Sequence, residues 1–212
     1  VATVLKRSRF TFHVQDLQPD AAVGLGMLPR GCLTSVLYRL ERFSYNRAAV
    51  VSGISNGMMT AFDDKGVPKA RRALLPNWLR AWTGASEQDH TRADARRQFG
   101  VSGPTLLAIY AGNLGRKQSL GILLEAAALL ADTPSAPAPA FRLIIAGDGA
   151  ARVELEAGLR ERPELAVELL PLQSDADYQA LLAAADVALI TQAAGTGQFF
   201  FPSKLLSVLA AG

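Results

Sequence analysis

Apolar residues along the chain alternate between short continuous runs and stretches where they recur every third or fourth position. These are the signatures of buried strands and of helices with one apolar face. In the first part, FTFHVQ reads as a strand, CLTSVLYRLERFSYN as an amphipathic helix, and AAVVSG as a second strand. SNGMMTAFDDKG follows as a helix stopped by Gly66, and RALL is a short strand before the turn Pro76-Asn77-Trp78. The second part repeats the scheme with TLLAIYAG, then a helix from Ser119 carrying Leu120, Leu123, Leu124, Ala127 and Leu130 at helical spacing. FRLIIAG, a helix over about Ala150 to Arg160, AVELL, the helix DADYQALLAAA and VALI complete it. Strands alternating with helices predict an α/β fold with parallel sheets and crossover helices.

The polar stretch after Trp78, with one helical segment around SEQDHTRADARRQFG, divides the chain. The expected organisation is a Rossmann-like part over 1–76, a connection over 77–103 and a second Rossmann-like part over 104–212. DTPSAPAPA interrupts the second part as an inserted Pro/Ala loop. The chain opens on Val1 and stops on LLSVLAAG, so both ends are expected to be cut.

Half of the 212 residues are hydrophobic, enough for one good core or two small ones. The single cysteine, Cys32, excludes an internal disulfide framework and a Cys-rich zinc site, which fits a reducing compartment. The net charge of +3 comes from scattered basic residues, without the dense stripe of a nucleic-acid binder. No apolar run reaches the roughly 18 residues of a membrane helix. AVGLGMLPRGCLTSVLYRLERF, with Arg30, Arg39 and Arg42, reads as a core-facing helix, with contact to a membrane surface as the alternative.

Two strands end in glycine-bearing turns, YAGNLG with Gly112 and Gly115, and IAGDG with Gly147 and Gly149, each leading into a helix. Glycine there lets a phosphate approach the backbone and a helix N-terminus, or simply lets the chain turn; two such loops in one domain point to a nucleotide-type ligand. A dinucleotide reading of Gly147-x-Gly149 with Glu168 fails at its third glycine, which is Arg152, and Glu168 falls inside a strand. Asp175-Ala176-Asp177 opens a helix after Ser174, where capping accounts for the acids, so no metal is expected. Lys204 falls in the first turn of the last helix, after Pro202 and Ser203, where a nearby anion would offset the dipole. His13, Gln15 and Asp16 end the first strand, with His13 and Gln15 on one face, as a candidate acceptor or donor-sugar site; Asp16 or Asp20 could instead cap the next segment of chain. His90 reads as solvent-exposed in a charged helix.

The segments HVQDLQPDAAVGLGML, SNGMM with PNW, YAGNLGRKQ, LIIAGDGA, LLAAADVALITQ and FPSKLLSVLAAG, in this order, resemble glycosyltransferase family 4, and within it the colanic-acid-type branch of exopolysaccharide synthesis. The resemblance covers nearly the whole chain. It implies a GT-B fold, with a sugar-nucleotide-binding second domain, an acceptor-side first domain only partly present here, and transfer with retention of configuration. It places the donor diphosphate near Gly112, Asn113, Lys117, Ser203 and Lys204, and the base near Gly147, Pro171 and Leu172, with Asp16 and its neighbours facing the transferred sugar. Gly149, Arg116 and Pro202 complete the expected donor set, and Asp16, His13, Lys117 and Lys204 the catalytic one.

The family's paired glutamates fall on Phe199 and Ser207, and its first-loop Arg and Lys on Asn113 and Gln118, with Arg116 and Lys117 beside them as substitutes. The reading expects no cofactor and no nucleic acid. The expected partners are a nucleotide sugar and a lipid-linked saccharide, at the cytoplasmic membrane face, and the chain alone is expected to be inactive. Two other classes remain open: a non-catalytic nucleotide-sugar-binding or assembly protein, and an NAD-dependent nucleotide-sugar-modifying enzyme. The latter calls for a Tyr/Lys pair, and Tyr178 has no lysine four residues on.

Overall fold

The computed structural model describes residues 8–79, 91–132, 140–194 and 201–211. It forms two units: residues 1–78 with 193–203, and residues 79–192 with 204–212.

The first unit runs β1 (Thr11–Val14), α1 (Gln18–Gly24), α2 (Cys32–Arg47), β2 (Val50–Gly53), α3 (Asn56–Asp64) and β3 (Arg72–Leu74). Its strands form a parallel sheet in the order β1-β2-β3, with Phe12 opposite Val51 and Val51 opposite Arg72. Ser55 starts α3 by accepting the N–H of Met58 (3.3 Å), which turns Met58 and Phe62 inward to join Val51, Tyr45 and Leu17 in the core. Gly53 is required there: a Cβ would lie 2.9 Å from the end of Met59 and 3.0 Å from Phe62. Arg71 donates to the carbonyls of Tyr45, Asn46 and Ala48, satisfying the open end of α2.

The second unit runs α4 (Arg92–Gln98), β4 (Leu106–Ala111), α5 (Gly121–Asp132), β5 (Phe141–Ala146), α6 (Arg152–Glu161), β6 (Val167–Leu170), α7 (Asp175–Ala184), β7 (Val187–Ala188) and α8 (Lys204–Ala211). Its sheet is parallel in the order β6-β5-β4-β7. The central strands β4 and β5 bury nearly every side chain on both faces, which is why they read as unbroken apolar runs. One cluster, around Leu107, Ile109, Ile144 and Leu181, packs under α4 and α7. The other, around Tyr110, Leu123, Leu143 and Leu155, packs under α5 and α6.

Three local differences from the sequence reading have physical causes. The described part of the expected connection contributes α4 to the second unit, because Ala95 is buried in its core and Arg96 donates to the Ala184 carbonyl (3.2 Å) and Asp186 (3.1 Å). The helix expected from Ser119 starts at Gly121, because Ser119 is left-handed (φ 52°) at the end of a short turn over Arg116–Gln118. The helix α1 lay hidden in a segment rich in glycine and interrupted by Pro19, which stands near its first turn. The Pro/Ala loop, apart from its flanking Asp132 and Ala140, and His90 lie outside the described residues. Among the described residues, no helix is long and apolar enough to cross a membrane.

Candidate active site

The carboxyl ends of β4 and β5 carry the two glycine loops, and the structure interlocks them. Gly112 donates its N–H to the Ala146 carbonyl (2.9 Å), Leu114 to Asp148 (2.8 Å), and Ala151 to Leu114 (2.7 Å). Gly147 donates to the Leu170 carbonyl (3.2 Å), and Gly149 to the side chain of Asp148 (2.7 Å). The N–H groups of Gly112, Gly147 and Gly149 are therefore engaged within the protein, and these glycines serve close backbone approach. A Cβ on Gly147 would stand 1.9 Å from the Gly112 carbonyl oxygen, and one on Gly149 2.6 Å from that of Leu114. Arg152, the residue that breaks the dinucleotide pattern, donates to the carbonyls of Gly147 (2.8 Å) and Leu170 (3.2 Å) and ties β5 to β6.

Above this platform Lys204, at the start of α8, reaches back over β4. Its Nζ lies 3.6 Å from the centroid of the Tyr110 ring and 3.0 Å from where a Gly112 Cβ would stand. It is buried without a hydrogen-bond partner, and this desolvation pulls its pKa down to about 8. Tyr110 is held below it by donating its hydroxyl to the Asn113 carbonyl (2.9 Å), and burial pushes its pKa up to about 12. Buried side-chain polar atoms without a partner are uncommon. Among the described residues they are Arg72 Nε in the first unit, and Gln118 Oε1, Thr191 Oγ1, Gln192 Nε2 and Lys204 Nζ in the second. Thr191 and Gln192 directly follow β7 and its loop, and β7 pairs with β4 through Ala108–Val187 and Ile109–Ala188. The unpaired ammonium of Lys204 suits an anion, and the unpaired Gln118, Thr191 and Gln192 groups of the same unit are polar atoms that a ligand carrying hydroxyls or ring heteroatoms would satisfy. Sequence reading missed Tyr110, Thr191 and Gln192; the polar pair directly after the apolar run VALI was the available signal.

The remaining expected residues are spread around this platform. Arg116 is exposed and Lys117 half-buried in the turn after β4, with Asn113 exposed before it. Pro171 and Leu172 are exposed after β6, and Gln173 donates to the Pro171 carbonyl (2.7 Å). Pro202 and Ser203 precede α8 and group with the first unit. Phe199 lies outside the described residues, and the Ser207 hydroxyl donates to the Lys204 carbonyl (3.2 Å) within α8. Glu168 pairs with Arg142 inside the sheet. Ser174 caps α7 by accepting the Asp177 N–H (3.1 Å), which accounts for the Asp-x-Asp sequence.

In the first unit, His13 stands opposite Ser52 in register, and its Nδ1 lies 2.9 Å from the Ser52 hydroxyl. The Gln15 amide lies 2.6 Å from His13 Nε2, so both ring nitrogens are engaged. Asp16 accepts from Gln18 (3.4 Å), and the position before α1 is Leu17, without a side-chain cap. Asp20 instead joins Glu41 around Lys65, at 2.6 Å each. That cluster borders a cavity of about 760 Å³ lined by Tyr38, Tyr45, Thr60 and Asp64, which none of the expected site residues lines. No cluster of three or more candidate metal ligands occurs among the described residues.

Two parallel-sheet units of Rossmann type, the second with loops and a helix start converging at its carboxyl edge, define the GT-B class of glycosyltransferase fold. The chain is 31% identical over 211 residues to WcaI of Escherichia coli (strain K12), a protein named for a glycosyl transferase role in colanic acid biosynthesis. That alignment takes in 98% of this chain and 50% of WcaI, so the chain spans half the length of this relative. Among solved structures, Anabaena HepE in complex with UDP and glucose matches with a TM-score of 0.71 at 19% identity, covering 99% of this chain and 52% of HepE. WaaG, a glycosyltransferase involved in lipopolysaccharide biosynthesis, matches with a TM-score of 0.65 at 20% identity, covering 95% of this chain and 54% of WaaG. No protein-family model matches the chain.

Proposed function

We propose that the chain is part of a retaining glycosyltransferase, moving a sugar from a nucleotide-sugar donor to a lipid-linked saccharide in exopolysaccharide or cell-surface glycan synthesis. It works at the cytoplasmic face of the membrane. The second unit, α4 included, handles the donor, and the first unit faces the acceptor. The observation that carries this reading is Lys204, a buried ammonium without a hydrogen-bond partner at the carboxyl edge of a parallel sheet. Burying an unpaired charge is costly, and an anionic ligand removes that cost. The likeness to WcaI, and to HepE with UDP and glucose bound, supports a nucleoside diphosphate sugar as that ligand.

In the reaction, the bond from the anomeric carbon to the diphosphate oxygen breaks and that oxygen keeps the electron pair. The acceptor oxygen then bonds the same carbon on the same face, releasing its hydroxyl proton. What the protein must supply is positive charge where the leaving diphosphate gains negative charge. Lys204 and Lys117, with Arg116, supply it beside Gly112, Asn113, Pro202 and Ser203. Gly147, Gly149, Pro171 and Leu172 border the base, and His13 and Asp16 face the transferred sugar.

The test is calorimetric titration of the chain with UDP, GDP and UDP-glucose, alongside Lys204→Ala. Saturable binding is expected, weakened about ten- to a hundredfold by loss of one charge-assisted contact. Failure of the folded protein to bind any of the three, or preference for NAD, overturns the reading. Binding without sugar transfer by the protein supplied with acceptor would leave a non-catalytic binding protein.

A further inference from the structure

Tyr110 is the one residue of β4 with a polar side chain, and it is wholly buried near the carboxyl end of the strand. Its neighbours in the core include Leu123, Leu143 and Leu155, among which an apolar side chain is the ordinary occupant. Two features set a tyrosine apart there, and both are engaged. The hydroxyl donates to the Asn113 carbonyl (2.9 Å) and closes the turn after the strand. The ring carries the Lys204 ammonium 3.6 Å from its centroid.

A lysine at the start of a helix ordinarily keeps its ammonium in water. Lys204 instead reaches inward and buries Nζ without a hydrogen-bond partner. Gly112 leaves the space for it, since a Cβ there would lie 3.0 Å from Nζ and 3.2 Å from Cε. A cation–π contact returns only part of what an ammonium loses on leaving water. The arrangement therefore holds a charge in one place at a cost to the unliganded protein, as expected where a fixed charge awaits an anion.

We propose that Tyr110 is a positioning residue for donor binding: its ring holds the Lys204 ammonium beside the first glycine loop, ordered in advance for the diphosphate oxygens of the nucleotide sugar. The inference rests on the reading of Lys204 as the diphosphate contact. Without the ring, the lysine side chain is free to change rotamer and the ligand has to order it, which weakens binding about two- to tenfold. The hydroxyl has a separate task at Asn113, so substitution separates it from the ring.

The ring contact is read first without ligand, in protein carrying [13C]lysine. The ε-methylene of Lys204, identified by its loss in Lys204→Met, should resonate upfield of the other lysines, keep that shift in Tyr110→Phe and lose it in Tyr110→Leu. Calorimetric titration with UDP should find Tyr110→Phe within about twofold of the parent and Tyr110→Leu weaker by about two- to tenfold. In the Lys204→Met background, Tyr110→Leu should bring no further loss. A tyrosine that only supports the fold would weaken binding whether or not Lys204 is present. Phenylalanines with increasing ring fluorination at position 110 keep the ring while drawing charge from its face, so affinity should fall stepwise; they decide the matter where the leucine variant does not fold. A normal ε-methylene shift in the parent overturns the proposal, as does a loss in Tyr110→Phe equal to that in Tyr110→Leu, or an equal loss in the Lys204→Met background. UDP binding that Tyr110→Leu and fluorination leave unchanged overturns the positioning role alone, whereas a folded parent that binds no UDP overturns the donor reading along with it.

Discussion

Lys204 rests its ammonium 3.6 Å from the centre of the Tyr110 ring and has no hydrogen-bond partner, so the aromatic face is what stabilises its charge. The contact is partial compensation, because burial still pulls the lysine pKa down to about 8 from 10.5. Between those two pH values the unfolded chain holds the proton more tightly than the folded one, so stability rises with pH across this window. Lys204→Met is expected to lack that rise and to be more stable than the parent at pH 7, by about 1–3 kcal/mol after allowing for the lost cation–π attraction. Urea denaturation at pH 7 and pH 10 measures both. The same lysine ties stability to binding. Near pH 8 about half of it is neutral, and a diphosphate drawing it back to the charged form takes up about half a proton per ligand. UDP titrations at pH 8 in buffers of different ionisation enthalpy read this directly, and a buffer-independent heat would separate Lys204 from the diphosphate.

The interlocked glycine loops make a sharper structural prediction. Gly147 has φ +150° and no room for a methyl group against the Gly112 carbonyl oxygen, so Gly147→Ala must move one loop off the other. A loss of about 3 kcal/mol or more is expected, visible as a lowered urea midpoint or failure to fold. Gly121, at the start of α5, is the matched control, because a Cβ there would meet nothing within 4 Å. Gly121→Ala should be neutral or stabilising by up to about 1 kcal/mol.

The sheet framework was legible because β4 and β5 bury both faces and so spell unbroken apolar runs, and because Ser55 and Ser174 start their helices with cap residues. The two loops were legible through their glycines, although the N–H groups of Gly112 and Gly147 turn out to bind neighbouring backbone and that of Gly149 the Asp148 side chain. Tyr110 was hidden by reading as one more core residue in LLAIYAG; only the return of α8 over β4 gives it a cation to hold. The pairing of Lys65 with Asp20 and Glu41 joins residues 45 and 24 positions apart, beyond the reach of any local pattern. The side of α2 that faces outward depends on where the sheet lies, and spacing alone cannot choose between two apolar-capable faces.

Lys65 binds Asp20 and Glu41 with its side chain only 14% exposed. Desolvation lowers its pKa, but the bonds to the two carboxylates outweigh that and leave it raised. Tyr45 reinforces Glu41 from the core side (2.9 Å). Lys65→Met leaves two carboxylates facing each other without their shared cation, which should cost about 2–4 kcal/mol at pH 7. The raised folded pKa means that this stabilisation is complete at neutral pH and fades only as the lysine deprotonates at high pH. Urea denaturation of parent and variant at pH 7 measures this cost, and a difference below about 0.5 kcal/mol would show that the cluster contributes no more than an exposed ion pair.

Asp186 joins α4 to the sheet by accepting the Leu107 N–H (2.7 Å) and an Arg96 bond (3.1 Å), and it pairs with Arg92. The backbone bond from Leu107 is the main cause holding its carboxyl below the usual carboxylate range; burial opposes it, and the Arg96 bond and the nearby arginine charges add to the lowering. A depressed carboxylate pKa gives stability that is present above the ordinary value near 3.8 and lost as pH falls through the folded value. Asp186→Asn keeps one acceptor for Leu107 but loses the charge, so it should cost about 1–2 kcal/mol at pH 7, a modest figure because the side chain is 33% exposed. The variant should also lose less stability than the parent between pH 5 and pH 3. Hydrogen exchange locates the effect: protection should fall in α4 and at Leu107 while β5 keeps its protection, because Asp186 holds the helix to the sheet edge and takes no part in the β4–β5 ladder.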